Sequence, residues 1–496
     1  MMAENKTTYI LCVSFFVLAA YFQLNSLANT DNAWLIESAK MLLSGQNLYT
    51  DYIETNPPFI VYFTAIPLIL GGVLGLAAPE SYTIFVLTLA AFSFYLGSRL
   101  IESNNLKIAL LLLFVIFPAF NFGQREHLLV LLITPYFLAL LNSARPSVVA
   151  AVLMIIGVLL KPYFILFLAF FILWEKFELK QKLFSTRNFA FGITCILYVA
   201  LIWLFERDYI ENTLPMLIQY YDSFYLYRLG IYSKITIFSA PFLLLLLRKA
   251  KLHILDNKII FTLISASIAA ITAALQDKGW DNHYFPLHFF MLFALMLMME
   301  NSFVRLAGRQ QGIFIAGLSV AYLMIMIVSF KNNISMASSF TKFSAKQNID
   351  IIESKAPNGK ALVLSVNLNG LNPELLYSSA SLGWQYPCLW MLPGMYENVK
   401  EDANKEVPFR APAQQSANER AIFESVVNYF VTQKPEILVV THSWIRNSPR
   451  KVKGKLGTGK FDLHGYFMQD KKFAAEFANY KLQRKFLGKS LYVRKG

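Results

Sequence analysis

Residues 8–45 read TYILCVSFFVLAAYFQLNSLANTDNAWLIESAKMLLSG. The apolar run from Thr8 to Leu24 follows one lysine, Lys6, and no small-residue cleavage site comes after it. It reads as a retained membrane span rather than a removed signal peptide. The stretch behind it has helical spacing, with Thr30 or Asp31 placed to cap the helix and Trp34, Ile36, Ala39, Leu42 and Leu43 on one apolar face. That is the pattern of a helix lying along a membrane surface.

Further apolar runs repeat along the chain. Ten span candidates lie near 81–98, 107–120, 128–142, 147–160, 162–175, 189–206, 232–247, 258–276, 284–300 and 312–330. Composition agrees: 56% of residues are hydrophobic, 15% are charged and the mean hydropathy is +0.45. A soluble domain carries about 25% charged residues, so a water-facing surface cannot be built from this chain. The expected fold is therefore a polytopic α-helical membrane protein with about 11–13 spans. Residues 59–78 are span-like but interrupted by Pro67 and Gly71–Gly72, and they read as a re-entrant or interfacial helix. Cys12, Cys195 and Cys388 form neither a disulfide framework nor a zinc spacing.

Lysine and arginine sort the loops. The connections around 99–107, 143–146, 176–188, 248–258 and 301–311 hold 13 of them, and those around 121–127, 161, 207–231 and 277–283 hold five. The positive-inside rule assigns the first set to the cytoplasm and the second to the outside. With 59–78 not crossing, the N-terminus is cytoplasmic and the C-terminus extracytoplasmic.

From about Lys331 the long apolar runs stop. Residues 331–496 hold 24 Lys/Arg against 13 Asp/Glu, most of the chain's formal +14. Ala361–Leu368, Glu436–Thr441 and Leu491–Val493 read as strands and Glu419–Phe430 as a helix. The division expected is a membrane domain over 1–330, with its first outer loop at 25–80, and a small extracytoplasmic α/β domain over 331–496. A basic surface there suits anionic headgroups or an anionic substrate, or is simply solvated. A nucleic-acid role is set aside, because an extracytoplasmic domain does not meet that partner. No internal repeat is visible.

Ionisable groups at a bilayer are costly, so they are functional candidates. Asp31, at the start of its helix, could accept a proton from a hydroxyl or merely cap the helix. Glu54 and Asn56 sit in an extended segment before Pro57–Pro58. Arg125, Glu126 and His127 could grip a phosphate or form an ion pair closing a helical hairpin. Lys161 precedes Pro162 and could snorkel to headgroups. Lys278, Trp280, Asp281, Asn282, His283 and Tyr284 carry more polarity than an aromatic interface belt needs. No phosphate-binding glycine loop, HExxH, GxSxG or CxxC occurs.

An acid after the first span, a helix ending SGQNLY, and then DYIETNPPFIVYF resemble the first outer loop of the GT-C glycosyltransferases. The likeness is to the branch of the aminoarabinose lipid A transferase and the protein O-mannosyltransferases. It is clear over 25–75, and QDKGWDNHYFP looks like a distant counterpart of a later outer loop. The resemblance implies an inverting enzyme that takes a sugar from a polyprenyl-phosphate donor to a lipid or glycan acceptor hydroxyl. The setting implied is a bacterial inner membrane and cell-envelope or lipopolysaccharide modification. Asp31 falls at the catalytic acid, and Glu54 and Asn56 fall in the segment before Pro-Pro. Asn56 replaces a common lysine there, and Asn32 stands where many relatives have Glu. Both departures shift phosphate binding toward Arg125, His127, Lys161, Lys278 and His283, with Glu126 the candidate for a later acid. Asp31, Glu54 and Glu126 could ligate a divalent metal, but members of that branch need not use one, so no cofactor is expected.

A lipid-linked sugar or polysaccharide transporter or flippase also needs many spans and a broken helix. Its charges would sit at mid-span and its halves would be related. A polysaccharide polymerase or ligase would instead centre on a late loop such as 207–231, with Glu206, Arg207, Asp208, Tyr220, Tyr221, Phe224, Tyr225 and Tyr227.

Overall fold

The computed structural model describes residues 2–221, 256–276, 278–304, 342–400, 402–404, 406–441, 460–486 and 488–495. The spans expected at 232–247 and 312–330, and the aromatics Phe224, Tyr225 and Tyr227, lie outside them. The chain is mostly helical with a small sheet near its C-terminus, and it divides into two compact units. One takes Met1–Leu27, Leu70–Leu201 and Leu229–Thr341, and the other takes Ala28–Ile69, Ile202–Arg228 and Lys342–Gly496.

The first unit contains α1 (Met2–Asn25), α4 (Ala78–Ser98), α5 (Asn104–Val115), α6 (Arg125–Leu141), α7 (Val148–Leu159), α8 (Ile165–Phe177), most of α9 (Thr186–Phe205), α11 (Asn257–Gln276) and α12 (Phe285–Val304). Among the described residues, five helices are long and apolar enough to cross a membrane, at Lys6–Asn25, Ala78–Ser98, Thr186–Phe205, Asn257–Gln276 and Asp281–Glu300. α5 and α7 have 12 residues each, about 18 Å of helix against a hydrocarbon core of about 30 Å.

Every residue of α6 is buried, so this helix is the axis around which the others pack. Phe137 on it stacks on Phe261 at 5.1 Å and meets Phe290 edge-on at 5.0 Å. Small residues admit the neighbours. A Cβ on Gly157 would stand 3.1 Å from Leu132 Cβ, and one on Gly97 would stand 2.8 Å from Leu138 Cδ1. At the periphery, Tyr9, Val13, Val17 and Tyr21 of α1 are exposed, the outward apolar stripe of a lipid-facing helix.

The second unit is built on a five-stranded sheet of order β2-β1-β3-β5-β4, from β1 (Lys360–Leu364), β2 (Ser381–Leu382), β3 (Ile437–Thr441), β4 (Tyr480–Phe486) and β5 (Lys489–Arg494). β1 runs parallel to β2 and β3, with Ala361 opposite Ile437, while β5 is antiparallel to both β3 and β4. The period of two splits the core. Leu362, Leu364, Leu438 and Val440 face Phe423, Val426 and Phe430 of the helix Ala417–Gln433; Ala361, Val363, Ile437, Val439 and Leu491 face Ile352 and Leu375. Ser416 caps that helix, its Oγ accepting from Glu419 N at 3.3 Å.

Two distant segments complete this unit: the first loop with α2 (Thr30–Leu43), and residues 202–221 with α10 (Leu214–Tyr220). Ile53 and Tyr220 belong to the same core as Leu362, and Ile53 N donates to Gln385 O at 2.8 Å. Thr30 Oγ1 donates to Asn369 Oδ1 at 2.8 Å and Ala28 N to Tyr377 Oη at 3.0 Å. α2 is therefore not a helix resting on a membrane surface. Residues 32–39 are all buried, although Leu43 is exposed, so protein covers the apolar face that the sequence offered to lipid. α3 (Phe59–Val73) behaves differently. Tyr62, Ile66, Ile69, Leu70 and Val73 form one exposed apolar stripe, while Val61, Phe63, Ala65 and Leu68 are buried.

Candidate functional site

Three breaks between helices build a polar cluster in the first unit. Gly123, at φ 78°, turns the chain into α6, so that Arg125 and Glu126 stand in its first turn. Lys161 is extended between α7 and the turn started by Pro162. His283 lies in the 3-10 turn Asp281–Tyr284 ahead of α12.

Glu126 is the hub. Its Oε1 accepts from Lys161 Nζ at 2.7 Å and its Oε2 accepts from Asn282 Nδ2 at 3.1 Å. Lys161 Nζ also stands 3.3 Å from His283 Nε2, and the His283 ring lies 5.4 Å from that of Trp280. All four hub residues are buried, as are Arg125 and Lys278, which both act electrostatically on His283. Arg125 makes no side-chain hydrogen bond among the described residues, and His283 Nδ1 has no hydrogen-bond partner. Lys161 and Arg125 both act on the Glu126 carboxylate, and Lys278 acts on His283 beside it. A buried group of this kind suits an anion, with Arg125 and His283 Nδ1 able to bond one.

His127 does not join them. Gly123 N donates to its Nδ1 at 2.9 Å, and Nε2 lies 2.8 Å from Phe114 O. The first bond places the ring proton on Nε2, so both nitrogens serve the backbone and neither is left for a phosphate. Tyr284 is buried and does not sit in an interface belt.

The remaining candidates belong to the second unit. Asn29, not Thr30 or Asp31, caps α2, its Oδ1 accepting from Asn32 N at 2.8 Å. Asp31 thus keeps its carboxylate out of the cap while standing in the first turn, where the helix dipole favours the anion. Glu54 is fully buried, and its Oε1 accepts from Asn56 N at 2.8 Å and from the Asn56 amide. Asn56 is thus a clamp on Glu54. Burial pushes the Cys388 thiol up, and the Glu54 and Asp31 carboxylates push it further, which places both acids near one buried sulfur.

Two groups here escaped the sequence reading as parts of a site: Tyr52 and Tyr62. Tyr62 Oη donates to Glu206 Oε1 across a wide separation in the chain, and Tyr52 is buried beside them. Glu206 was read only with the 207–231 loop, as a feature that a polymerase or ligase would use. Among the described residues no group of three or more His, Cys, Asp or Glu is arranged to hold a metal ion.

No protein-family model and no curated protein sequence matches the chain. Among solved structures it is similar to the arabinofuranosyltransferase AftD from Mycobacteria, with TM-score 0.42 and 13% sequence identity. The match covers 99% of this chain and 40% of that one, so the chain spans about two fifths of the length of that protein.

Proposed function

We propose that this protein is a membrane glycosyltransferase that moves a sugar from a polyprenyl-phosphate carrier to an acceptor hydroxyl on the outer face of a bacterial inner membrane, in cell-envelope glycan modification. The observation that supports the reading is the buried group of Arg125, Lys161 and His283 around Glu126, in which the Arg125 side chain makes no hydrogen bond among the described residues. An isoprenoid phosphate needs such a place inside a helical membrane unit, and the resemblance of residues 25–75 to GT-C enzymes points the same way.

In this reading Asp31 accepts the acceptor hydroxyl's proton as that oxygen bonds the anomeric carbon. The bond from that carbon to the phosphate oxygen breaks on the opposite face, which inverts the centre. Polyprenyl phosphate leaves with one more negative charge than the donor phosphodiester carried. Within the first unit, Arg125, Lys161 and His283 are the groups offered to a phosphate, and Glu126 holds Lys161 in place.

The test is transfer from a radiolabelled polyprenyl-phosphate sugar by the full chain in lipid nanodiscs. Asp31→Asn is expected to lower kcat roughly 10²–10⁴-fold while donor binding persists. Arg125→Gln is expected to weaken binding of polyprenyl phosphate itself. Wild-type transfer by Asp31→Asn would remove the mechanism. Donor translocation without release of polyprenyl phosphate would make the protein a flippase.

A further inference from the structure

The two membrane-adjoining segments of the second unit, 28–69 and 202–221, carry seven acidic residues against Lys40 and Arg207. Both bases are already engaged, Lys40 with Glu37 at 2.8 Å and Arg207 with Glu211 at 2.6 Å. A phosphate would meet net repulsion here, the reverse of the cluster around Lys161.

Within this acidic surround, α3 and the end of α9 meet through the Tyr62–Glu206 hydrogen bond. Tyr62 is 43% exposed and Glu206 is half-buried, so a ligand can reach both. Behind them Tyr52 is 1% exposed, and its hydroxyl has no hydrogen-bond partner among the described residues. A buried phenol left unpaired is costly, so the place suits a ligand that pairs it. Trp203, exposed on α9, stands with the Arg207 guanidinium 5.7 Å from its ring. A carboxylate that accepts, phenols that both donate and accept, and an aromatic ring at the rim are the groups that bind vicinal hydroxyls on an apolar sugar face.

We infer that Glu206, Tyr62 and Tyr52 form a binding site for a neutral, hydroxyl-rich sugar headgroup, on the acceptor side of the transfer proposed above. This deepens that reading by specifying an uncharged glycan acceptor, in place of a phosphate or an anionic headgroup. Glu206 and Tyr62 bind the sugar. Tyr52, buried beside both, is a positioning residue.

The experiment is saturation-transfer NMR on the full chain in nanodiscs, with methyl α-glucopyranoside, methyl α-mannopyranoside and methyl α-arabinofuranoside as probes. It needs neither donor nor turnover, so its result stands apart from that of the transfer assay. At least one glycoside should receive saturation from the wild type. Glu206→Gln should weaken that binding roughly ten-fold, as expected for a lost charged hydrogen bond. Tyr62→Phe, which removes only a half-exposed hydroxyl, should weaken it less. Absence of saturation on all three probes would overturn the assignment. So would a signal undiminished in both Glu206→Gln and Tyr62→Phe.

Discussion

Asn29 and Asp31 sit two residues apart, and the structure gives them different work. Asn29→Ala should cost about 1 kcal/mol of stability, the usual value of a helix cap, seen as a lower Tm. In the reading proposed above, Asp31→Asn should act on turnover, and a wild-type kcat in that variant would remove the role. Lys161 and Glu126 behave otherwise, because each neutralises the other in a buried place. Lys161→Met removes the ion pair but leaves Arg125 and the Asn282 hydrogen bond on Glu126, so it should destabilise by about 1–3 kcal/mol, read from thermal unfolding in nanodiscs. Cys388 gives a chemical check. Its thiol is buried and held above the ordinary range, so the reactive thiolate is scarce near pH 8 and maleimide should label it only after unfolding. Residue identity alone revealed the acids and bases but not their duties. Caps, the saturation of His127, and the Tyr62–Glu206 bond depend on which turns meet, and no local spacing encodes that.

Among the elements, those with a strong apolar period were readable. The strands at Ala361, Ile437 and Leu491 and the helix Ala417–Gln433 emerge within a few residues of the expected places. β4 did not, because its run YKLQRKF is mostly polar and lies at the sheet edge, where one side of the ladder stays open. Lys481 and Lys485 there are exposed, the charged trim that keeps an edge strand from pairing with another chain. The loop-to-sheet junction gives a sharper prediction. A Cβ on Gly394 would stand 2.5 Å from Tyr220 O and 2.7 Å from Tyr220 Cα, both backbone atoms that cannot rotate away. Gly394→Ala should therefore cost about 1–3 kcal/mol through overpacking. The same change at Gly72, with open space around it, should be tolerated. Thermal unfolding of the two variants side by side checks this.

For the whole molecule, the informative fact is that residues 28–69, 202–221 and 342–495 fold into one unit. Segments that share a unit share a side of the membrane. The sequence reads α4 to α9 as six spans, although among them only α4 and α9 are long enough by themselves, and six crossings would bring the chain back to the face it left. α3 as a seventh crossing would separate what the fold joins, so α3 is expected to lie in the lipid without traversing it, its exposed apolar stripe facing acyl chains. Ser44→Cys and Asn212→Cys should then label with an impermeant maleimide from one side, and Glu102→Cys from the other. Opposite-side labelling of positions 44 and 212 would show that α3 crosses.

The bonds from Ala28, Thr30 and Ile53 to Tyr377, Asn369 and Gln385 have a consequence for biosynthesis. The ribosome delivers the first loop more than three hundred residues before the groups that seat it. Until the last third has been made, the segment bearing Asp31 lacks the partners that seat it. In the reading proposed above, a chain truncated before Tyr377 should therefore have no transfer activity.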